Sequence, residues 1–202
     1  MTGATGAIYF VRTVRALARA GHGLDLVVSR YGALTLKEET DYGDYQGGLI
    51  DYFETKFSGE WEKGKIAVHH YQDQTSALAS GSAVRDAMVI VPCTMKTIAG
   101  VAHGFSTNLI DRAADVMLKE RRPLVVVPRE APYNVIHLRN LLSLAEQGVS
   151  VIPASPAFYQ HPKTFDDLGD FIAGRVLSVL GITHDLFPKW QGKESLGQRE
   201  PE

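Results

Sequence analysis

Residues 88–94, Met88-Val89-Ile90-Val91-Pro92-Cys93-Thr94, decide the fold. Apolar residues run together without alternation and stop at a proline, the pattern of a strand buried on both faces of a parallel sheet. Downstream the pattern returns as Leu124-Val125-Val126-Val127 before Pro128-Arg129-Glu130, and as Val149-Ser150-Val151-Ile152 before Pro153. Stretches 95–104, 107–120, 134–147 and 165–180 read as helices, with Gly104, Gly148 and Gly181 where helices end. Upstream, Leu24-Asp25-Leu26-Val27-Val28-Ser29 is a further strand. Ile8, Val11, Val14 and Leu17 place a helix before it, with Arg12, Arg15 and Arg19 on another face. Residues 31–75 read as helix plus irregular loop. This alternation specifies an α/β fold: a three-layer, doubly wound parallel sheet of the Rossmann-like kind. One domain spans 1–188, and 189–202 form a polar tail. The glycine-rich turn Gly3–Gly6 is of a kind that follows a strand, so a first strand is expected and is missing from this chain.

Composition narrows the function classes. The chain has 202 residues, 45% hydrophobic and 22% charged, the ordinary balance of a globular domain. No apolar run approaches the roughly 20 residues of a membrane-spanning helix. A net charge of -2 supplies no basic field for nucleic acid. The lone Cys93 excludes an intrachain disulfide and fits a reducing, cytoplasmic setting. The seven histidines show no ligand spacing, so no metal is assigned. The acid-free segment 1–24 mimics a mitochondrial leader, but its apolar spacing reads as a folded amphipathic helix.

Ligands of such sheets bind outside the carboxyl ends of the strands. That rule selects Gly3–Gly6, Ser29, Cys93–Thr97 and Arg129-Glu130. Gly3-Ala4-Thr5-Gly6 offers backbone N–H groups and a hydroxyl at a helix N-terminus, suited to an anion or simply to a tight turn. It is not the dinucleotide fingerprint. Ser29 and Thr94 are hydroxyl donors or helix caps. Arg129-Glu130 follows a buried strand, and a carboxylate there can act as general acid and base. Asn108, Arg112, Asp115 and Lys119 form one helical stripe that reads as ion pairs. Arg175 shares a face with Leu168, Ile172 and Val179, where a cation needs an anionic partner, either a carboxylate or a bound phosphate. Tyr159 follows the last strand as a ligand cap or core ring, and Trp190 is a tail anchor or a lid.

Taken together, several segments are specific: Thr2-Gly3-Ala4-Thr5-Gly6-Ala7, Ser80-Gly81-Ser82, Pro92-Cys93-Thr94-Met95-Lys96-Thr97, Arg112-Ala113-Ala114-Asp115-Val116, Leu118-Lys119-Glu120-Arg121-Arg122-Pro123, Pro128-Arg129-Glu130-Ala131-Pro132, Ile136-His137-Leu138 and Pro156-Ala157-Phe158-Tyr159. This set resembles the UbiX-type flavin prenyltransferases from residue 2 to about residue 191. The resemblance implies a flavoprotein-like fold that transfers a dimethylallyl group from dimethylallyl phosphate to N5 of reduced FMN and then closes a ring to C6. It implies prenylated FMN for a UbiD-type decarboxylase, and a homododecamer with sites between subunits and no metal. By motif, Gly3, Ala4, Thr5, Ser29, Thr94, Met95, Lys96, Thr97, Arg112 and Arg129 would hold FMN. Lys119, Tyr159, Arg175, Ser80, Gly81, Ser82 and Trp190 would hold the prenyl donor. Glu130, Thr5 and Lys119 would act in catalysis. The family turn usually has serine where this chain has Thr5, which keeps the hydroxyl. The alternatives are an FMN-dependent decarboxylase of cysteine-containing substrates and a non-catalytic FMN carrier. Pro92-Cys93-Thr94-Met95-Lys96-Thr97 replaces the Pro-Ala-Ser-Ala-Asn-Thr segment of the former, and the latter has no need of Lys119 and Arg175.

Overall fold

The computed structural model describes residues 1–60 and 65–187. In chain order the elements are α1 (Ala7–Arg19), β1 (Leu24–Val28), α2 (Arg30–Glu39), α3 (Leu49–Lys56), β2 (Ile66–His70), β3 (Met88–Cys93), α4 (Met95–Ala102), α5 (Leu109–Lys119), β4 (Leu124–Pro128), α6 (Val135–Glu146), β5 (Ser150–Val151) and α7 (Phe165–Val179). Every strand pairing is parallel, in two groups: β1 with β2, and β3 with β4 and β5. The doubly wound α/β reading therefore holds.

The apolar runs behave as buried parallel strands. Leu124, Val125, Val126 and Val127 are all within 2% of full burial. Val125 and Val127 pack with Phe10, Val11, Ile172 and Val176 of α1 and α7. Leu124 and Val126 pack on the opposite face with Ile98, Ile110, Ala114 and Leu144 of α4, α5 and α6. Alternate side chains enter different cores, and both cores are apolar, so the run needs no polar face.

One expectation required correction, and one residue was placed more closely. Residues 31–75 contain the strand β2 as well as helices α2 and α3. It went unread because Ile66-Ala67-Val68-His69-His70 is short and mostly exposed, with only Ile66 buried. Arg12, on a face of α1 apart from the apolar stripe, is nevertheless buried. It is 7% exposed, its Nε donates to Asp170 at 2.6 Å, and its Nη1 donates to Asp166 at 3.0 Å. This fork fastens α1 to α7.

At the carboxyl ends, Met1 and Thr2 run between the two strand groups. The Met1 nitrogen donates to the Val27 carbonyl at 2.8 Å, and the Ser29 N–H donates to the Met1 carbonyl at 3.1 Å. The Thr2 N–H donates to the Pro92 carbonyl at 3.1 Å. Below this level β1 and β3 are not paired among the described residues.

Arg12→Ala should leave Asp170 short of its partner in a mostly buried setting and cost about 2–3 kcal/mol, toward the low end for broken buried pairs because Asp166 is half exposed. A lower urea midpoint at unchanged slope would show it. An unchanged midpoint would remove Arg12 from the helix–helix joint.

Candidate functional site

Three hydroxyl residues organise the carboxyl ends of the strands. Ser29 caps α2, its Oγ accepting from the Gly32 N–H at 3.0 Å. Thr94 caps α4, accepting from the Thr97 N–H at 3.3 Å and donating to Thr97 Oγ1 at 3.1 Å. Thr2, which the sequence reading passed over, is 3% exposed. Its hydroxyl donates to the Pro92 carbonyl at 3.1 Å and accepts from the Thr94 N–H at 2.8 Å.

The turn into α1 demands glycine twice. Gly6 has φ 102°, in the left-handed region. A Cβ on Gly3 would fall 2.4 Å from Tyr31 Cβ. This close approach brings the start of α2 against the turn. The far end of α2 then delivers Glu39, the second residue that sequence reading missed. The Thr5 hydroxyl donates to one Glu39 oxygen, and the N–H groups of Gly6 and Ala7 donate to the other at 2.7 and 2.8 Å. A carboxylate thus rests on the N-terminus of α1, where exposed amides and the helix dipole favour negative charge. Nothing in local spacing signals this contact, because it joins residues 34 apart in the chain.

Arg129 and Glu130 follow β4 on the same rim. The Arg129 N–H donates to the Cys93 carbonyl at 3.2 Å, and Glu130 Oε1 accepts from the Ala131 N–H at 3.0 Å. Both side chains are exposed. The phenol of Tyr9 stands between charges of opposite sign. Burial pushes its pKa up, Arg129 pulls it down and Glu39 pushes it up again. Tyr9 therefore marks where α1, Arg129 and Glu39 converge. Met95 and Thr97 are buried in the first turn of α4, and Lys96 is exposed beside them. Cys93 is fully buried, which pushes its thiol up to about 12 and leaves it unsuited to nucleophilic chemistry.

A second cluster lies elsewhere. The Arg112 Nε donates to the Ala79 carbonyl at 3.0 Å and its Nη1 to Asp115 at 2.7 Å. The Arg122 Nη2 holds the Gly81 carbonyl at 2.8 Å, Ser80 and Ser82 pair through their hydroxyls at 2.8 Å, and Lys119 pairs with Glu120. The loop 79–82 is thereby laced along α5. Since α5 ends at Lys119 and β4 begins at Leu124, Lys119 and this loop stand at the amino ends of the strands. Gly3, Ala4, Thr5, Ser29, Thr94 and Glu130 stand at the carboxyl ends. A strand of five residues is about 17 Å long, so one chain does not bring the two sets together.

Arg175 also departs from its expected place. The buried face of α7 is Gly169, Ile172, Ala173, Val176 and Leu177, and Arg175 is exposed. The 3.6-residue period admits either stripe, and packing against α1 selected the one without the arginine. Among the described residues Arg175 forms no ion pair. Tyr159 is 52% exposed and meets the Phe171 ring edge-on at 6.4 Å. Trp190 and the tail 189–202 lie outside the described residues.

A parallel α/β layer with an anion-accepting turn and capped helices on one rim defines a nucleotide-binding class of protein. The Flavoprotein family model matches residues 1–177. A flavin prenyltransferase UbiX of Halalkalibacterium halodurans is 46% identical over 94% of this chain and 90% of its own. A crystal structure of AnUbiX in complex with FMN and dimethylallyl pyrophosphate has a TM-score of 0.83 at 39% identity, covering 95% of each chain. A dodecameric FMN-dependent UbiX-like decarboxylase from Escherichia coli O157:H7 has a TM-score of 0.80 at 37% identity, covering 95% of this chain and all of its own. The chain belongs to the UbiX-type flavin prenyltransferase family.

Thr2→Val should leave the Thr94 amide without its acceptor and the Pro92 carbonyl without one donor. The cost should be about 1–3 kcal/mol, that of an unsatisfied buried polar group. Chemical denaturation measures it, and a variant as stable as the parent would show the hydroxyl to be dispensable.

Proposed function

We propose that this protein joins the dimethylallyl group of dimethylallyl phosphate to N5 and C6 of reduced FMN, releasing phosphate. The observation that carries this reading is the relative of TM-score 0.83, matched over 95% of this chain, which holds FMN and a dimethylallyl donor. The residues present fit a flavin phosphate. Gly3, Ala4 and Ser29 on the same rim would hold it, the Gly6 and Ala7 amides being taken by the Glu39 carboxylate. Thr94, Met95, Lys96 and Thr97 at the α4 N-terminus and Arg129 on the same rim complete the flavin site. Reduced flavin supplies the nucleophilic nitrogen and ring carbon.

The protein's own part is to hold charges and move protons. Departure of phosphate from an allylic carbon is eased by cations placed on the leaving group. Lys119, Arg112 and Arg175 supply them, with Tyr159 and the Ser80-Gly81-Ser82 loop as hydrogen-bond partners. Thr5, bound to Glu39, orients that carboxylate toward the reacting end. Glu130 would deliver a proton to the double bond of the N5-linked allyl group and recover one from C6 as the ring closes, while the proton lost from N5 leaves with the phosphate. The product, prenylated FMN, passes to a UbiD-type decarboxylase in the cytoplasm.

Because Lys119 and Glu130 belong to opposite edges of the sheet, a site containing both takes them from different copies of the chain. The exposed apolar face of α6 supports such assembly. Val135, Ile136, Leu138 and Leu142 are each more than half exposed, a patch unusual for a monomer. The assembly is a homo-oligomer, a dodecamer like that of the Escherichia coli relative.

Glu130→Gln should bind FMN and the donor and stall before the second bond forms. The rate of finished prenylated flavin should fall by about 10²–10⁴-fold, the usual contribution of a general acid–base group. Mass and absorbance of the flavin recovered after anaerobic incubation report it, and a wild-type rate would leave Glu130 no part in proton transfer.

Lys119→Ala and Glu130→Gln should each be inactive alone. Reassembled together in equal amounts, they should regain about a quarter of the parent activity, because random mixing leaves that share of two-copy sites intact. No recovery in oligomers shown by native mass spectrometry to be mixed would place both residues in one chain's site.

A further inference from the structure

We propose that Arg122 is a positioning residue for the phosphate of the prenyl donor. Without touching the donor, its guanidinium draws carbonyls of the loop 79–83 toward α5 and leaves the loop's hydrogen-bond donors facing outward. The proposal rests on the reading above that Ser80, Gly81, Ser82 and Lys119 receive that phosphate. Three observations support it.

The first is where the polar groups of the loop go. Arg112 Nε donates to the Ala79 carbonyl at 3.0 Å. Arg122 spends both arms of its fork on the next two alternate carbonyls, Nη2 on Gly81 at 2.8 Å and Nη1 on Ala83 at 3.4 Å. The Ser80 carbonyl accepts from the Ala83 N–H at 3.2 Å. The carbonyls of Ala79, Ser80, Gly81 and Ala83 are thus all engaged. By contrast the Gly81 N–H makes no hydrogen bond among the described residues. Ser80 and Ser82 are exposed, and their hydroxyls bond to each other at 2.8 Å. A phosphate offers only acceptors, so it needs N–H and O–H groups and is repelled by a facing carbonyl. With its carbonyls turned to two guanidinium groups, the loop meets an anion with donors alone.

The second is how Arg122 is itself held. The Arg121 N–H donates to the Leu118 carbonyl at 3.0 Å, and the Arg122 N–H donates to the Met117 carbonyl at 2.8 Å. This pair of bonds closes α5 in a Schellman turn, and Arg121 takes the left-handed φ of 54° that the turn demands. The backbone of Arg122 is therefore fastened to the helix that carries Lys119, and its side chain reaches from there to the loop.

The third is the approach of the loop to the lysine. A Cβ on Gly81 would fall 2.7 Å from Lys119 Nζ, and Glu120, the ion-pair partner of Lys119, stands against the same point. The residue whose carbonyl Arg122 grips is thus the one whose open amide lies beside the ammonium. One clamp sets both groups for the same phosphate.

Arg122→Lys keeps the charge and loses the planar fork, so it holds one carbonyl at a time. Calorimetry on protein loaded with oxidised FMN, which does not consume the donor, should show dimethylallyl phosphate binding weakened by about 10–100-fold, the cost of a binding group misplaced by about an ångström. FMN affinity should stay at the parent value, and in turnover the loss should appear in KM rather than in kcat. Donor binding by Arg122→Ala should be restored by ethylguanidinium and not by ethylammonium, which brings the charge without the fork. Parent donor affinity in Arg122→Lys, an equal loss of FMN affinity, or a response to ethylammonium equal to that to ethylguanidinium would each overturn the proposal. Failure of both variants to form the parent oligomer on native mass spectrometry would also overturn it, making Arg122 a residue of the fold. Lys119→Ala in the same titration tests the underlying site. Unchanged donor affinity there removes the donor reading itself, whereas weakened affinity there beside an unaltered Arg122→Lys removes only the part given to Arg122.

Discussion

The Thr2 hydroxyl, buried between the Pro92 carbonyl and the Thr94 amide, is the contact on which the working rim depends. Together with the backbone of Met1 and Thr2 it carries hydrogen bonding across from β1 to β3, the two strand groups that are otherwise unpaired. Everything placed at the carboxyl ends inherits its position from that crossing. Thr94 is fixed on one side and caps α4, and Ser29 is fixed on the other and caps α2. The glycine turn between Thr2 and α1 is then held against Tyr31, and Glu39 reaches back from the end of α2 to its amides.

That arrangement has an electrostatic consequence. A helix N-terminus attracts an anion, and here a side chain of the same chain supplies one. Glu39 and Thr5 form a hydrogen-bonded pair on the rim where we propose that the flavin binds. The donor's phosphate needs cations, and the matching ones, Lys119 and its neighbours, stand at the far edge of the sheet. Sheet geometry alone separates them by the length of a strand. The proposed chemistry therefore draws on more than one copy of the chain, and the apolar outer face of α6 is a surface suited to association.

Much of the scaffold was legible in the residues because the signal was local. Met88–Val91 and Leu124–Val127 are apolar at every position, a pattern that only a doubly covered strand explains. Proline stops and helix caps such as Ser29, Thr94 and Asn134 set boundaries within a residue or two. β2 escaped because a short, exposed edge strand carries almost no hydrophobic period. Arg175 was expected on the apolar face of α7 and is exposed, and the pairing of Arg12 with Asp166 and Asp170 went unread. An arginine on a helix reads the same whether its carboxylates lie on a packed neighbour or its anion lies on another molecule.

By itself the sequence determined the fold class, the carboxyl-end rim as the candidate ligand site, the family and the residue types available for phosphate and proton. These follow from periodicity, from glycine and proline punctuation, and from motifs only a few residues long. Tertiary structure alone decided that Thr2 joins the strand groups, that Glu39 sits on Thr5, that Arg12 is buried while Arg175 is not, and that Lys119 and Glu130 lie on opposite edges. Each of these depends on contacts between residues tens of positions apart, and local spacing holds no record of which distant backbone or carboxylate will complete a hydrogen bond.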